Sequence, residues 1–336
     1  MHKIIAALFI LGSVLVSGAF TAHADQGGVV RFATLPAGAG HPEGLAADQQ
    51  GNIYVATFDF TTTNVIHVFG HNGRLLDTIP LPEAVPLGLA FDITGNLYVA
   101  NFGGGNVLKF SPPFKSSSTP SATFTVCTPV LFVDCGLNAI AFDGSGDLYV
   151  SDSFGGKIYK IDFPSGTVST FVSDELLKPA PPPHGFPPFG ANGLVFSSDG
   201  ATLFVANTAD DRILRVNVAS KAVTPFAESV NGADGILFDD QGLLWVAANQ
   251  GDEVVALDSD GRVADRRGSF EGIGPDGATK GLLFPASLVL SKGSLFVANT
   301  ALPLAGTDSE PEADVTIFTV SRIPLSGHSK DQRDAR

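Results

Sequence analysis

Six positions in this chain occupy the same place in a repeated motif, and four of them carry side-chain oxygen. The motif reads EGLAAD from Glu43, LGLAFD from Leu87, NAIAFD from Asn138, NGLVFS from Asn192, DGILFD from Asp234 and ASLVLS from Ala286. Its body is apolar and its opening residue varies. If the copies surround a common axis, the opening side chains converge on it. Glu43, Asn138, Asn192 and Asp234 then offer two anionic and two neutral oxygens, enough to balance a divalent cation. Hard oxygen donors select Ca²⁺ or Mg²⁺; Ca²⁺ takes six to eight of them, so water or substrate would complete the set. No His or Cys stands in this column, which counts against a dedicated Zn²⁺ site. Ca²⁺ is the expected ion, with Mg²⁺, Mn²⁺ and Zn²⁺ as alternatives. A divalent ion with open positions polarises a carbonyl and activates water, chemistry suited to hydrolysis of a lactone or related ester. The competing explanation is that Asn and Asp before Gly are turn residues. That accounts for Asn192 and Asp234 but not for Glu43 or Asn138.

The elements that would carry this column follow from the repeat. Its copies start 44, 51, 54, 42 and 52 residues apart, the length of a four-stranded propeller blade. Each apolar run ends in a Gly-containing turn and leads into a second strand: NIYVAT, NLYVAN, DLYVSD, TLFVAN, LLWVAA and SLFVAN. These short runs of β-branched and aromatic residues, bounded by turn residues, predict strands. Third strands alternate apolar and polar residues (NVLKFS, KIYKID, RILRVN, EVVALD), and weaker fourth strands fall at Ala122–Val126, Val168–Val172 and Ala222–Ala227. The first strand is apolar on both faces, so it is expected innermost, with the third nearer solvent. The last copy has too few strands after it, only Leu295–Asn299 and Val315–Val320, while Val29–Leu35 precedes the first copy without a blade of its own. The predicted fold is an all-β six-bladed β-propeller, its ring closed by the N-terminal strand pairing in the last blade. A solenoid is the alternative, but it would need capping ends.

Composition bounds the setting. Lys3, the apolar run Ile4–Val16 and Ala22-His23-Ala24 read as a signal peptide over residues 1–24, too short to span a membrane. The expected mature chain is secreted or periplasmic and forms one propeller over 25–325, followed by a disordered tail over 326–336. Without Lys3 it carries 19 Lys+Arg against 34 Asp+Glu, a net of −15. That argues against nucleic acid and anionic membrane as partners and leaves a small-molecule substrate. Cys127 and Cys135 are the only cysteines. In an exported chain a disulfide is the default, with two buried thiols as the alternative. Insertions at Asp174–Gly190 and Asn299–Asp314 should share one propeller face with the Cys loop and the column, because connections into first strands and between second and third strands lie together. Proline makes the first insertion a fixed wall rather than a flap.

The chain resembles the gluconolactonase family that includes regucalcin (senescence marker protein), and more distantly the paraoxonases. The resemblance rests on Glu43 in HPEGLA, Asn192 in ANGLVFSSDG and Asp234 in ADGILFDDQGLLWVA. It implies that these three ligate a divalent metal. It also implies that Asn138, in LNAIAFD, contacts the ion's hydration shell or substrate, and that Asp234 doubles as a general base. Glu43 is followed by Gly-Leu-Ala where the family usually has Gly-Pro. The repeat text is similar to NHL-type propellers too, so a non-catalytic scaffold binding a peptide, glycan or small molecule is the rival function. Strictosidine-synthase-like lyase chemistry is a third.

Other groups carry less. His184, in the Pro-rich insertion, is a candidate general acid or base; His41 is a candidate support for Glu43; His67 is expected to be packed. Asn101, Asp152, Asn207, Asn249 and Asn299 end second strands; they are expected to cap turns, with lining of the site's entrance as the alternative. Phe102, Phe154 and Phe186 could rim a pocket or pack in the core. There is no G-x-S-x-G, H-E-x-x-H, P-loop or C-x-x-C, so serine-nucleophile and zincin chemistry lack a motif.

Overall fold

The computed structural model describes residues 28–60, 63–181, 188–304 and 310–325. Six four-stranded antiparallel sheets form a ring, a six-bladed β-propeller. Their first strands are His41–Ala47, Pro86–Phe91, Leu137–Phe142, Ala191–Phe196, Ala233–Phe238 and Pro285–Ser291. Each packs against the first strand of the next blade, and Pro285–Ser291 packs against His41–Ala47. The sixth sheet takes its outer strand from Val30–Thr34, which pairs with Thr319–Pro324. The strand left over at the N-terminus is thus the one the last blade lacks.

Two boundaries differ from the sequence reading. The third strand of blade six is Thr319–Pro324, a few residues beyond the expected Val315–Val320, because Thr316 and Ile317, after a short 3-10 helix over Pro311–Asp314, bond to Gly277 O instead. The long spacing before Ala286 is filled by a two-stranded ribbon, Phe270–Ile273 with Thr279–Gly281. Burial also refines the expected order. The second strands of blades one, two, three and five are buried along their whole length, while the first strands keep partial exposure at their far ends. The first strands line the axis, whereas the second lie between neighbouring blades.

The core is accordingly six wedges rather than one centre. Each wedge joins two adjacent blades. Edge-on aromatic pairs recur in four of them: Tyr54–Phe91 at 4.9 Å, Tyr98–Phe142 at 5.2 Å, Tyr149–Phe196 at 4.9 Å and Phe204–Phe238 at 5.3 Å. Each such pair adds about 0.5–1.5 kcal/mol beyond its buried area. In blades one, two, three and five the turn after the first strand is held by an aspartate. Asp239 Oδ1 accepts the N–H groups of Gln241 and Leu243, and its Oδ2 accepts Trp245 Nε1–H. Asp143 does the same with Ser145, Asp147 and the Tyr149 hydroxyl.

Candidate functional site

Every first strand breaks register at the column. The shifts fall between Pro42 and Leu45, Pro86 and Leu89, Leu137 and Ile140, Ala191 and Leu194, Ala233 and Ile236, and Pro285 and Leu288. Each shift encloses one column residue. A bulge of this kind bends the strand and re-aims a side chain, so one irregularity repeated six times sets the column. Glycine follows where neighbouring strands crowd. A Cβ on Gly44 would collide with the carbonyl oxygen of Leu87, and one on Gly193 with that of Asp234.

Glu43, Asn138, Asn192 and Asp234 are all buried. Burial drives the Asp234 carboxyl from its ordinary 3.8 up to about 7, against the pull of amide donors from Asn249 and Asn192. Asn249 Nδ2 donates to Asp234 Oδ2 at 3.0 Å. Glu43 is raised well above the usual carboxylate range, by burial first and then by the charge of Asp234. The two carboxyls therefore feel each other. Among the described residues, buried Glu43 Oε2 has no hydrogen-bond partner. Like charges in one dry site cannot both ionise unless a cation joins them. Two carboxylates, one of them with an orphaned Oε2, and two amide oxygens fit a hard divalent ion. Among the described residues no cluster of three or more His, Cys, Asp or Glu side chains is placed to hold a metal ion; the column mixes carboxylates with amides instead.

Three hydroxyls hold the backbone beside this set. Thr300 Oγ1 donates to Pro42 O at 2.5 Å, Ser153 Oγ to Ala191 O at 2.7 Å and Thr208 Oγ1 to Ala233 O at 2.7 Å. Each accepting residue immediately precedes a candidate ligand: Glu43, Asn192 or Asp234. Each donor lies just beyond the second strand of the preceding blade. Thr208 Oγ1 also accepts Asn192 Nδ2–H at 3.0 Å, which fixes the amide by its nitrogen end. Sequence reading missed these hydroxyls; the signal was there, as Asp-Ser, Asn-Thr and Asn-Thr at 152–153, 207–208 and 299–300.

The residues ending second strands divide in two. Asn101, Asp152 and Asn299 accept backbone N–H groups of the segments entering their own blades, as expected of caps. Asn249 instead donates into the column at Asp234, so it belongs to the site and not with the caps. His41 donates from Nδ1 to Thr300 O at 2.8 Å and packs on Phe58 and Phe318, behind Glu43 rather than in the column. His67 is packed, with Nδ1 on Thr78 Oγ1, and burial lowers it to about 4. Asp258 holds a hairpin turn. His184 and Phe186 lie outside the described residues, as do residues 1–24 and 326–336.

Beside the polar column stands an apolar wall. Leu87, the column residue of blade two, is buried with Phe58, Phe102 and Phe154. Phe154 stacks on Phe189 at 5.6 Å and meets Phe102 at 5.5 Å. Cys127 and Cys135 are joined as a disulfide, closing the loop that enters blade three.

A family comparison bears directly on two of the column residues. Residues 189–267 match the SMP-30/Gluconolactonase/LRE-like region. That stretch contains Asn192 and Asp234 and supports the resemblance to the gluconolactonase and regucalcin family. No curated protein matches the chain by sequence. Among solved structures, a luciferin-regenerating enzyme superposes with a TM-score of 0.65 at 15% identity, covering 89% of this chain and 95% of its own. A calcium-binding protein, regucalcin, from Agrobacterium tumefaciens gives 0.57 at 19% identity over 84% and 89%. Virginiamycin B lyase from Staphylococcus aureus gives 0.53 at 14% identity over 89% and 88%. Likeness at these identities describes the fold.

Proposed function

We propose that this protein is a divalent-metal-dependent hydrolase of a lactone or related ester, with Ca²⁺ as the ion. The observation that carries the reading is the pair of buried, mutually repelling carboxyls, Glu43 and Asp234, with Oε2 of Glu43 left without a partner among the described residues. The match over residues 189–267 and the calcium-binding regucalcin among the structural neighbours support it. Glu43, Asn192 and Asp234 would hold the ion, and Asn138 would contact substrate. Bound there, a divalent cation supplies polarisation of an ester carbonyl and acidification of water.

The chain's own groups do the rest. Asn249 fixes one oxygen of Asp234, and Asp234 would orient the attacking water or take its proton. Water adds to the acyl carbon, the ester C–O bond breaks, and the proton passes to the departing alkoxide, giving a hydroxy acid from a lactone. The bulges and the three hydroxyl clamps hold these side chains before substrate arrives, which spares reorganisation during reaction. His184 remains a candidate acid or base. Export through the N-terminal segment belongs to the same proposal.

The test is a pH-stat screen of sugar lactones, alkyl lactones and aryl esters, with Ca²⁺ or with EGTA, beside Glu43→Gln. Turnover that needs the ion and is lost in the variant is the expected result. A folded protein with no ion-dependent turnover would leave the non-catalytic scaffold in front.

A further inference from the structure

The loop closed by Cys127 and Cys135 presents four consecutive apolar side chains to solvent: Val130, Leu131, Phe132 and Val133. Leu131 is 62% and Phe132 61% exposed. Such a run on a surface marks a contact site or a liability. The loop is also held firmly. Beyond the disulfide, Asp152 accepts the N–H groups of Cys135 and Gly136, and Asp134 pairs with Lys157 at 2.8 Å. Phe132 sits at φ 58°, a left-handed conformation that costs a bulky residue energy and is kept where it serves a purpose.

The tip is not isolated from the column. The Phe132 ring meets Phe154 at 5.5 Å, Phe154 stacks on Phe189 and meets Phe102, and this cluster contains Leu87. An apolar path thus runs from an exposed loop tip to a column residue, while the other side of the column is polar. Phe102, Phe154 and the loop all lie at second-strand ends or first-strand starts, the face on which the column opens.

We propose that this wall and loop tip form a subsite for an alkyl or aryl group, so that the substrate is an apolar lactone or ester rather than a sugar lactone. The inference rests on the hydrolase reading and adds the substrate class to it. The polar column receives the ester and the phenyl rings receive its hydrocarbon part. Phe132 and Leu131 cover the outer carbons, and Leu87 with Phe102 the inner ones.

Binding is measured first, so that the result does not depend on turnover. The probes are 5-alkyl-2-pyrrolidinones with chains of zero to eight carbons, titrated calorimetrically into the Ca²⁺-loaded chain of residues 25–336. Affinity should rise by about two- to fourfold per methylene, the range set by burying a CH₂ group partly or wholly. Phe132→Asn suits the left-handed position while removing the ring, so it should flatten that rise without lowering the melting temperature. Leu131→Ser should flatten it as well. Ile93→Ser, a 93% exposed apolar residue in the turn at the far end of blade two, serves as control and should change nothing. A flat chain-length series, or a slope untouched by both loop variants, would overturn the subsite. The matching alkyl γ-lactones are then assayed for hydrolysis. Chain-length-dependent binding without hydrolysis would keep the subsite and remove the hydrolase reading. Faster turnover of glucono-δ-lactone than of any alkyl lactone would overturn the substrate class.

Discussion

Replacing Asp234 by asparagine should stabilise the metal-free protein and abolish its response to calcium. Asp234 is buried, and burial lifts its carboxyl from 3.8 to about 7. Between those values the folded state binds more protons than the unfolded one, so stability falls as pH rises through the window and the loss is complete above it. The window spans about three pH units, each worth about 1.4 kcal/mol, so by pH 8 the ionised carboxylate costs about 4 kcal/mol. The asparagine amide has no charge to desolvate, keeps an oxygen for Asn249 Nδ2, and relieves Glu43 of the charge that raises it. Urea unfolding in EGTA at pH 4 and pH 8 reads this directly. The variant and wild type should differ little at pH 4, and the variant should lead by a few kcal/mol at pH 8. Calcium at a hundred times its dissociation constant should then add about 2.7 kcal/mol to wild type and nothing to the variant. A gap that does not widen between pH 4 and pH 8, or equal stabilisation of both proteins by calcium, would refute the argument that these carboxyls are buried for a cation.

Three further outcomes follow from the packing. Thr208→Val keeps the shape of the side chain but removes the hydroxyl that holds Ala233 O and Asn192 Nδ2; calcium affinity should fall about tenfold or more, the usual cost of losing a group that orients a ligand, while circular dichroism is unchanged. Cys127→Ser with Cys135→Ser opens a loop of nine residues and should lower stability by about 2–3 kcal/mol, read from urea midpoints. Gly44→Ala drives a methyl into Leu87 O at the contact of blades one and two; a destabilisation of about 1–3 kcal/mol should show in the same assay.

The ring was legible because its evidence is redundant: six copies of one motif, six second strands and one strand without a blade. The column was legible for the same reason, as variation stands out against an apolar repeat. What could not be read was how the column is held. A register shift leaves no mark on composition, since Pro42-Glu43-Gly44 and Leu137-Asn138-Ala139 bulge alike with different residues. Asn249 looked like Asn101 and Asn299, ending the same strand, and only its partner separates them. Ser153, Thr208 and Thr300 act across blade boundaries, on carbonyls 38, 25 and 258 residues away in sequence. The shift of the last third strand to Thr319–Pro324 was hidden because Val315–Val320 is as apolar as the true strand, and Pro311 sets the helical turn before it.

Glu43, Asn192 and Asp234 are proposed to hold one divalent cation, and calorimetric titration of Ca²⁺ into residues 25–336, beside Asp234→Ala, decides whether they do. Saturable binding near one equivalent in wild type, absent from a folded variant, is the expected result. No binding of Ca²⁺, Mg²⁺, Mn²⁺ or Zn²⁺ to the folded wild type, or binding unaffected by the substitution, would contradict it.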